Sequence, residues 1–502
     1  MERAMTSMPD DDRTPVIFAI GECSFRPASL AESLDPVALM SLAIDAAEAE
    51  CSIAFAAEAD SIDVVSQYSW QYRDAAQALC RYRRIAPRRV VYGQAGGESP
   101  IRLIHEAALR IAQGKSGLAI VVGGESQHSA TAAERSGTAL PWPAMEPEAA
   151  PRIGAEDILL PMSIRYGLVQ PVILYPFYEN AATAAWGQTP REALDESGRL
   201  WSHYSQIAAD NPWSWQKQPL SAEAIVTPTA DNRIIAWPYT KRMVANPSVN
   251  QSAAIGIASL AWAKAHGVPE SRIVHIGDGV AAIEPRDILQ RDDYRRSPAQ
   301  DVVLEEIVRL AGPRGFAHQE LYSCFPIVPK LAMRRLGLSP SDAATVTGGL
   351  PYFGAPLNNY MTHAACAMVR CLRDDGTRGL LYGQGEFLTK HHALLFSADR
   401  FETVLQPDYD RTAMADARRG PCPVLIETAD GGEIETFTVV HGRDGAPSLG
   451  IVIVRTPLGE RTLTHVPAAD RSTIDQLEAL DESPIGLSGR ITRQDEIQIF
   501  SL

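Results

Sequence analysis

The chain has no surplus of positive charge, no Cys-x-x-Cys pair and no long apolar run, and each shortage removes a class of function. Forty-six Lys and Arg stand against 61 Asp and Glu in 502 residues, a net charge of −15 that repels phosphate backbones and anionic lipid headgroups. Nucleic acid and membrane surfaces are thereby set aside as partners. The seven cysteines, Cys23, Cys51, Cys80, Cys324, Cys366, Cys371 and Cys422, are odd in number and never spaced as a metal knuckle. Neither a disulfide framework nor a metal site is indicated, and a reducing compartment is expected. Residues 1–13 are polar and contain Asp10-Asp11-Asp12, without the apolar segment of a secretion signal. No stretch approaches the 18 or so apolar residues of a membrane span, so a cytoplasmic protein is expected.

What is present is an ordinary folded composition, 45% apolar and 21% charged, in a chain long enough for about three domains. Pro15 to Gly21 reads as a buried strand, and Asp35-Pro36 opens a helix through Leu39, Leu42, Ala43, Ala46 and Ala47. Gly96-Gly97 leads into a helix with Ile104, Ala107, Ala108 and Ile111 on one stripe, then the strand Leu118 to Val122 and the turn Gly123-Gly124-Glu125. The same order returns downstream: Gly348-Gly349, a helix carrying Met361, Ala365, Met368 and Leu372, the strand Gly379 to Tyr382, then Gly383-Gln384-Gly385-Glu386. Either an α/β half is duplicated or a common unit recurs by chance. Ser252 to Ala265 reads as one apolar helix, followed by a strand over Arg272 to Ile276.

The expected division is a disordered tail over 1–13, one α/β half over 14–126, an insertion over 127–238, a second half over 239–400, a linker over 401–420 and a small barrel over 421–502. The insertion holds six of the eight tryptophans, Trp142, Trp186, Trp201, Trp213, Trp215 and Trp237, and reads as an aromatic-rich loop domain. These rings would either cover an apolar ligand or fill a small core of their own. In the last segment short strands, beginning at Val424 to Glu427, alternate with turn signals around a helix over Ser472 to Leu480, the outline of an OB-type barrel. It carries six arginines, no lysine and thirteen acidic residues, a local charge of −7, which is no funnel for a nucleic-acid strand.

Several ordered motifs resemble the thiolase superfamily, in particular divergent thiolase-like proteins with an added C-terminal domain. They are Gly96-Gly97-Glu98-Ser99-Pro100, Val122-Gly123-Gly124-Glu125, Asn250-Gln251-Ser252-Ala253-Ala254, Glu320-Leu321-Tyr322-Ser323-Cys324-Phe325, Thr347-Gly348-Gly349-Leu350, and Gly383 through His391. The resemblance covers about Pro15 to Phe396 and implies a duplicated, five-layered fold of two βαβαβαββ-type halves. Thiolases exchange acyl groups through a cysteine thiolate activated by histidine. Here Gly97 stands at the nucleophile position, Ala355 at that of the activating histidine, Tyr322 at that of the oxyanion histidine or asparagine, and the second cysteine is replaced near Tyr382 or Gly383. No cysteine lies between Cys80 and Cys324, so acyl transfer through a cysteine cannot run at these positions.

Cys324, running into Phe325-Pro326, reads as a buried, inert thiol. Tyr322 is the candidate catalytic group, because certain thiolase-like aldolases that cleave steroid side-chain CoA esters are similar in placing a tyrosine there; its alternative is a core tyrosine. Those aldolases also require an OB-fold partner subunit, whereas a barrel is fused here. His391 or His392 would reach the site as acid, base or oxyanion donor, the other being structural, since neighbours on a strand face opposite ways. Gly97, Asn358, Gly383 and Gly385 are candidate substrate contacts, Asn358 having helix capping as its alternative. Lys241 and Arg242 are the candidate cations for CoA phosphates, or else serve solubility.

The resemblance implies a protein that binds an acyl-CoA or related thioester, holds no permanent cofactor, and performs non-covalent aldol or retro-aldol chemistry or an altered acyl transfer. The competing reading is a catalytically inactive CoA-ester-binding or scaffold protein. A monomer and a homodimer are both compatible with the appended parts.

Overall fold

The computed structural model describes residues 10–146, 154–342 and 344–502. Of the tail, residues 1–9 lie outside the described residues, whereas Asp11–Arg13 form one helical turn. Ion pairs from Asp11 to Lys264 and Arg400, at 2.7 and 2.8 Å, tie that turn to the body.

The strands of the N-terminal half are β1 (Pro15–Ser24), β2 (Ser61–Val64), β3 (Arg89–Tyr92) and β4 (Leu118–Ser126). The insertion contributes β5 (Ile234–Ala236) and β6 (Tyr239–Thr240). After the insertion comes β7 (Asn250–Ser259), which pairs between β4 and β1 and so completes the sheet of the N-terminal half although the sequence division places it in the second. Then follow β8 (Val274–Ile283), β9 (His318–Leu321), β10 (Arg378–Gly385) and β11 (Lys390–Ser397) of the second half. The barrel has β12 (Gly431–His441), β13 (Pro447–Arg455), β14 (Arg461–Pro467), β15 (Ser488–Gln494) and β16 (Ile497–Ser501).

Nine strands form one sheet in the order β3-β2-β4-β7-β1-β8-β11-β10-β9. Its two halves meet at a short pairing, Val16 with His275 and Ile17 with Val274. The helices Ser99–Ala112 and Tyr360–Asp375 pack on each other and on strands of both halves. Helices Pro36–Cys51 and Pro298–Ala311 cover the outer faces. Helix, sheet, paired helices, sheet, helix is the five-layered duplicated α/β architecture expected from the sequence. Burial from both sides explains why Ser99–Ala112 is apolar around most of its surface. Asp35 caps Pro36–Cys51 by accepting from the Ala38 amide at 2.8 Å.

Four expectations change. Ser252 to Ser259 is not helix but the C-terminal part of β7, with only Leu260–Ala265 helical. β7 is paired on both sides and buried on both faces, so its residues give a continuous apolar run that periodicity cannot tell from a helix. The second glycine pair does not open its helix directly, since a short helix Gly349–Tyr352 and a loop precede Tyr360. The insertion is no loop domain: it folds into helices including Gln127–Ser136, Pro171–Ala185 and Pro190–Asp210. Thr189 caps the last of these in a reciprocal capping box with Glu192. Its tryptophans serve different cores, Trp201 in the central one and Trp237 in the barrel. The linker is docked as well: Tyr409 and Arg411 bond the main chain of Ala281, and Ala415 is fully buried.

The barrel closes as β12-β13-β14-β16-β15-β12, with β14 and β16 parallel and the helix Arg471–Leu477 between β14 and β15. Val424 to Glu427 adds only a single bridge, Leu425 to Arg461. β5 and β6 extend the barrel's sheet through the pairing of Ala236 with Val440. Arg461 is fully buried where the barrel meets the body, bonded to Glu435 and to the carbonyl oxygens of Leu289 and Arg291 at 2.9 and 2.6 Å. No helix among the described residues is long and apolar enough to cross a membrane.

Candidate active site

The loop Ala95-Gly96-Gly97, the segment after β9, the loop Ala355 to Asn358 and the turn after β10 converge on a cavity of about 600 Å³. The insertion roofs it with Gln170, Pro171, Val172 and Tyr175. Much of the wall is apolar, from Val172, Phe325, Leu350, Leu357 and Phe387. The site lies where β9 and β10 end together, the place at which open α/β sheets bind ligands.

Gly97 lines the cavity. A Cβ there would overlap the phenolic oxygen of Tyr322 and stand 2.5 Å from the Gln384 carbonyl oxygen. The Tyr322 hydroxyl therefore occupies the room that a side chain at position 97 would need. It makes no hydrogen bond among the described residues, and Tyr322 is 7% exposed. Burial, with the Cys324 thiol and the Glu98 charge adding to it, pushes the phenol well above its ordinary range. At neutral pH Tyr322 is thus a neutral proton donor facing the cavity. Burial also pushes Cys324 up to about 12, and Gln384 Nε2 donates to its sulfur at 3.3 Å. Cys324 is a protonated thiol rather than a nucleophile.

Restoring a cysteine at the vacant position is expected to fail for the same steric reason. Gly97→Cys should lower stability by about 1–3 kcal/mol through overpacking and yield no acyl-enzyme, as read by chemical denaturation and intact-mass spectrometry with acetyl-CoA.

The predicted site residues are only partly brought together. Gly97, Tyr322, Asn358 and Gly385 line the cavity. Asn358 Oδ1 accepts from the Gly96 amide at 3.0 Å and its Nδ2 donates to the Ser66 carbonyl at 2.9 Å, so the side chain holds the glycine loop in place. Gly383 lies behind the wall, where a Cβ would come within 3.0 Å of Glu98 Cα; close packing, not ligand contact, accounts for it.

Neither histidine reaches the cavity. His391 is fully buried, with Nδ1 2.7 Å from Tyr382 Oη and Nε2 3.2 Å from Ser297 Oγ. His392 points the other way, 3.0 Å from His105. Both faces of β11 are covered, by helices Pro298–Ala311 and Ser99–Ala112, so strand alternation sends one ring into each layer. Burial lowers His391 to about 3, leaving it neutral. Lys241 is exposed and Arg242 spends its guanidinium on the Ala224 carbonyl at 2.8 Å; neither lines the cavity. Arg286 and Lys390 clasp the lining residue Glu386 at 2.8 and 2.7 Å. Burial opposes ionisation of Glu386, but these partners hold its carboxyl below the usual range.

Sequence reasoning missed Tyr175, Gln384 and Glu98. Gln384 and Glu98 sit inside quoted motifs, and only packing distinguishes them. Tyr175 belongs to the insertion, where no motif marks it. It stacks on Phe325 at 4.3 Å and accepts from Gln384 Nε2 at 2.6 Å. Among the described residues no group of three or more His, Cys, Asp and Glu could hold a metal ion.

Comparison with known proteins agrees with the fold. The model of the thiolase-like protein type 1 additional C-terminal domain matches residues 416–496. The structure is similar to a monomeric SCP2-thiolase like protein type 1 from Mycobacterium smegmatis, with a TM-score of 0.81 and 28% identity over 98% of this chain and 99% of that one. The Ltp2-ChsH2(DUF35) aldolase aligns with a TM-score of 0.59 and 16% identity over 77% of this chain and 98% of its own. Human mitochondrial 3-ketoacyl-CoA thiolase in complex with CoA aligns with a TM-score of 0.55 and 14% identity over 77% of this chain and 98% of its own. At those identities the last two speak for the fold alone. No curated protein matches by sequence. With a body of the thiolase fold and the additional C-terminal domain matched over residues 416–496, the chain is similar to divergent thiolase-like proteins that carry this additional domain.

Proposed function

We propose that the cavity takes the acyl part of a CoA thioester, or of a related thioester, and that the protein performs aldol or retro-aldol chemistry through an enolate without a covalent acyl-enzyme. The observation that carries this reading is the Tyr322 hydroxyl in the room above bare Gly97. A β-hydroxyacyl thioester seated there would lose its hydroxyl proton as the Cα–Cβ bond breaks. A carbonyl compound then leaves and the enolate takes a proton at Cα. A neutral phenol can donate to the developing oxyanion or relay that proton. The neighbour named an aldolase fits the same chemistry. The seven free cysteines fit a reducing cytoplasm, and the strand order of the barrel supports reading it as an OB-type intramolecular module on a monomer rather than as a strand-binding one.

The test is incubation with a series of β-hydroxyacyl-CoA esters and mass analysis of the products. The expected outcome is a shortened acyl-CoA with a carbonyl compound, and a rate roughly 100-fold lower for Tyr322→Phe with binding retained. A stable acyl adduct on any cysteine would sink the reading. A second reading, an inactive CoA-ester-binding protein, draws on the sealing of His391 away from the cavity. It predicts binding without product.

A further inference from the structure

Glu98 follows Gly97 in the glycine loop, and its side chain is 2% exposed. A Cβ on either Gly96 or Gly385 would overlap its Oε2. Both glycines line the cavity, and Gly96 adopts φ +149°, a conformation that disfavours any side chain. The absence of side chains at both positions makes room for one carboxyl group behind the glycines that line the cavity. Glu98 Oε2 and Tyr322 Oη thus fill the side-chain space of two consecutive residues, Gly96 and Gly97.

That carboxyl is not built as a structural anchor. Its Oε2 is buried without a hydrogen-bond partner, and its Oε1 stands 3.8 Å from the Arg102 guanidinium, beyond hydrogen-bond range. Glu320, buried in the second half, accepts from Tyr360, Thr345, Thr347 and the Val346 amide. A carboxylate that only holds structure is normally satisfied in this way. The charged groups acting on Glu98 are Lys390 and Arg102, which favour its ionisation, and Glu386, which opposes it; burial outweighs them and raises its pKa. Lys390 is itself fixed to the Ala95 carbonyl at 3.2 Å and to Glu386.

We infer that Glu98 is the proton store of the cavity, accepting a proton relayed by Tyr322 during enolate formation and returning it to the substrate. The role rests on the enolate chemistry proposed above. In the cleavage direction the hydroxyl proton of the substrate passes to the Tyr322 oxygen while the Tyr322 proton passes to Glu98 through an intervening water, because Glu98 Oε2 is not in direct hydrogen-bond contact with the phenol. The O–H electron pair becomes the new C=O bond, and the Cα–Cβ pair becomes the enolate. The Glu98 proton then returns through Tyr322 to Cα, so no proton, electron or co-reactant is left over.

The probe is propionyl-CoA in D2O, with α-proton exchange followed by NMR and binding by calorimetry. Wild-type protein is expected to exchange the α-protons. Glu98→Gln should bind equally well but exchange on the order of 100-fold more slowly, and lose the pH inflection of a raised carboxyl. Exchange by Glu98→Gln at the wild-type rate, with an unchanged pH profile, overturns the role while leaving the enolate chemistry standing. Wild-type protein that binds propionyl-CoA and exchanges nothing overturns that chemistry, and the role with it. If Glu98→Gln does not fold, infrared difference spectra of the wild-type protein with and without propionyl-CoA read the carboxyl directly. A carboxylate band that shifts or gives way to a carboxylic-acid band on binding is expected, and a carboxylate band unmoved by the ligand overturns the role.

Discussion

Arg461→Met is expected to cost about 3–5 kcal/mol and to loosen the C-terminal barrel from the body. The guanidinium is fully buried and makes four hydrogen bonds, two to Glu435 and two to the main chain of the other unit. Removing it takes from Glu435 its buried partner and leaves the Leu289 and Arg291 carbonyl oxygens only the weak Cys422 thiol as donor, at 3.5 and 3.7 Å. Loss of one partner from a buried ion pair is among the most destabilising single changes. Arg455 also reaches Glu435, so part of the charge stays compensated. Urea denaturation followed by intrinsic fluorescence measures the loss, and proteolysis between 416 and 431 reports undocking. The double variant Arg461→Met/Glu435→Leu should recover part of the loss, because the buried charge is removed along with its partner. An unchanged urea midpoint for Arg461→Met would contradict the contact's importance.

Acid should weaken the folded protein through its buried histidines. Burial lowers His105 and His391 to about 3 and His275 to about 4, and holds His392 well below its ordinary value. In the unfolded chain each titrates near 6.5. As pH falls through that value the unfolded state binds protons that the folded state refuses. Stability is therefore full above about pH 7 and is lost at about 1.4 kcal/mol per pH unit for each ring, down towards its folded pKa. Asp63, pushed by burial up to about 6, works in the opposite sense. Its folded form takes up a proton before the unfolded form does, which returns stability between about pH 6 and 4. The histidine share is isolated by His391→Gln, whose acid limb should be shallower by about one proton in urea midpoints taken from pH 7 to pH 4. An identical slope would show that the ring is not held neutral.

The architecture was legible because the motifs that carry the resemblance are backbone requirements, glycines and small residues at turns, and these mark the fold whatever the chemistry. Gly97, Ala355 and Tyr322 were readable one by one as departures from a pattern, and all three line the cavity. That the tyrosine fills the space vacated at position 97 was not readable, since it depends on two segments 225 positions apart meeting in the same space. Most of β7 reads as helix in the sequence because a strand buried on both faces shows no alternation. The histidines were misplaced for a related reason: alternation says that two neighbours face opposite ways, but not that both faces are covered. In the insertion, the Thr189-Pro190 start and Glu192 are a legible helix signal, overshadowed by the density of tryptophan and proline.

The pairing of Ala236 with Val440 bears on how the protein is made. β5 leaves the ribosome long before its partner β12 exists, and translation of the intervening residues takes on the order of 10–40 s. During that interval the hairpin Ile234–Thr240 has an open edge that no neighbouring segment can pair. Closure of the barrel is thus a late, long-range event in folding. A chain stopped short of Gly431 would carry that unsatisfied edge permanently, which makes the nascent protein most prone to self-association while the last third is still being synthesised.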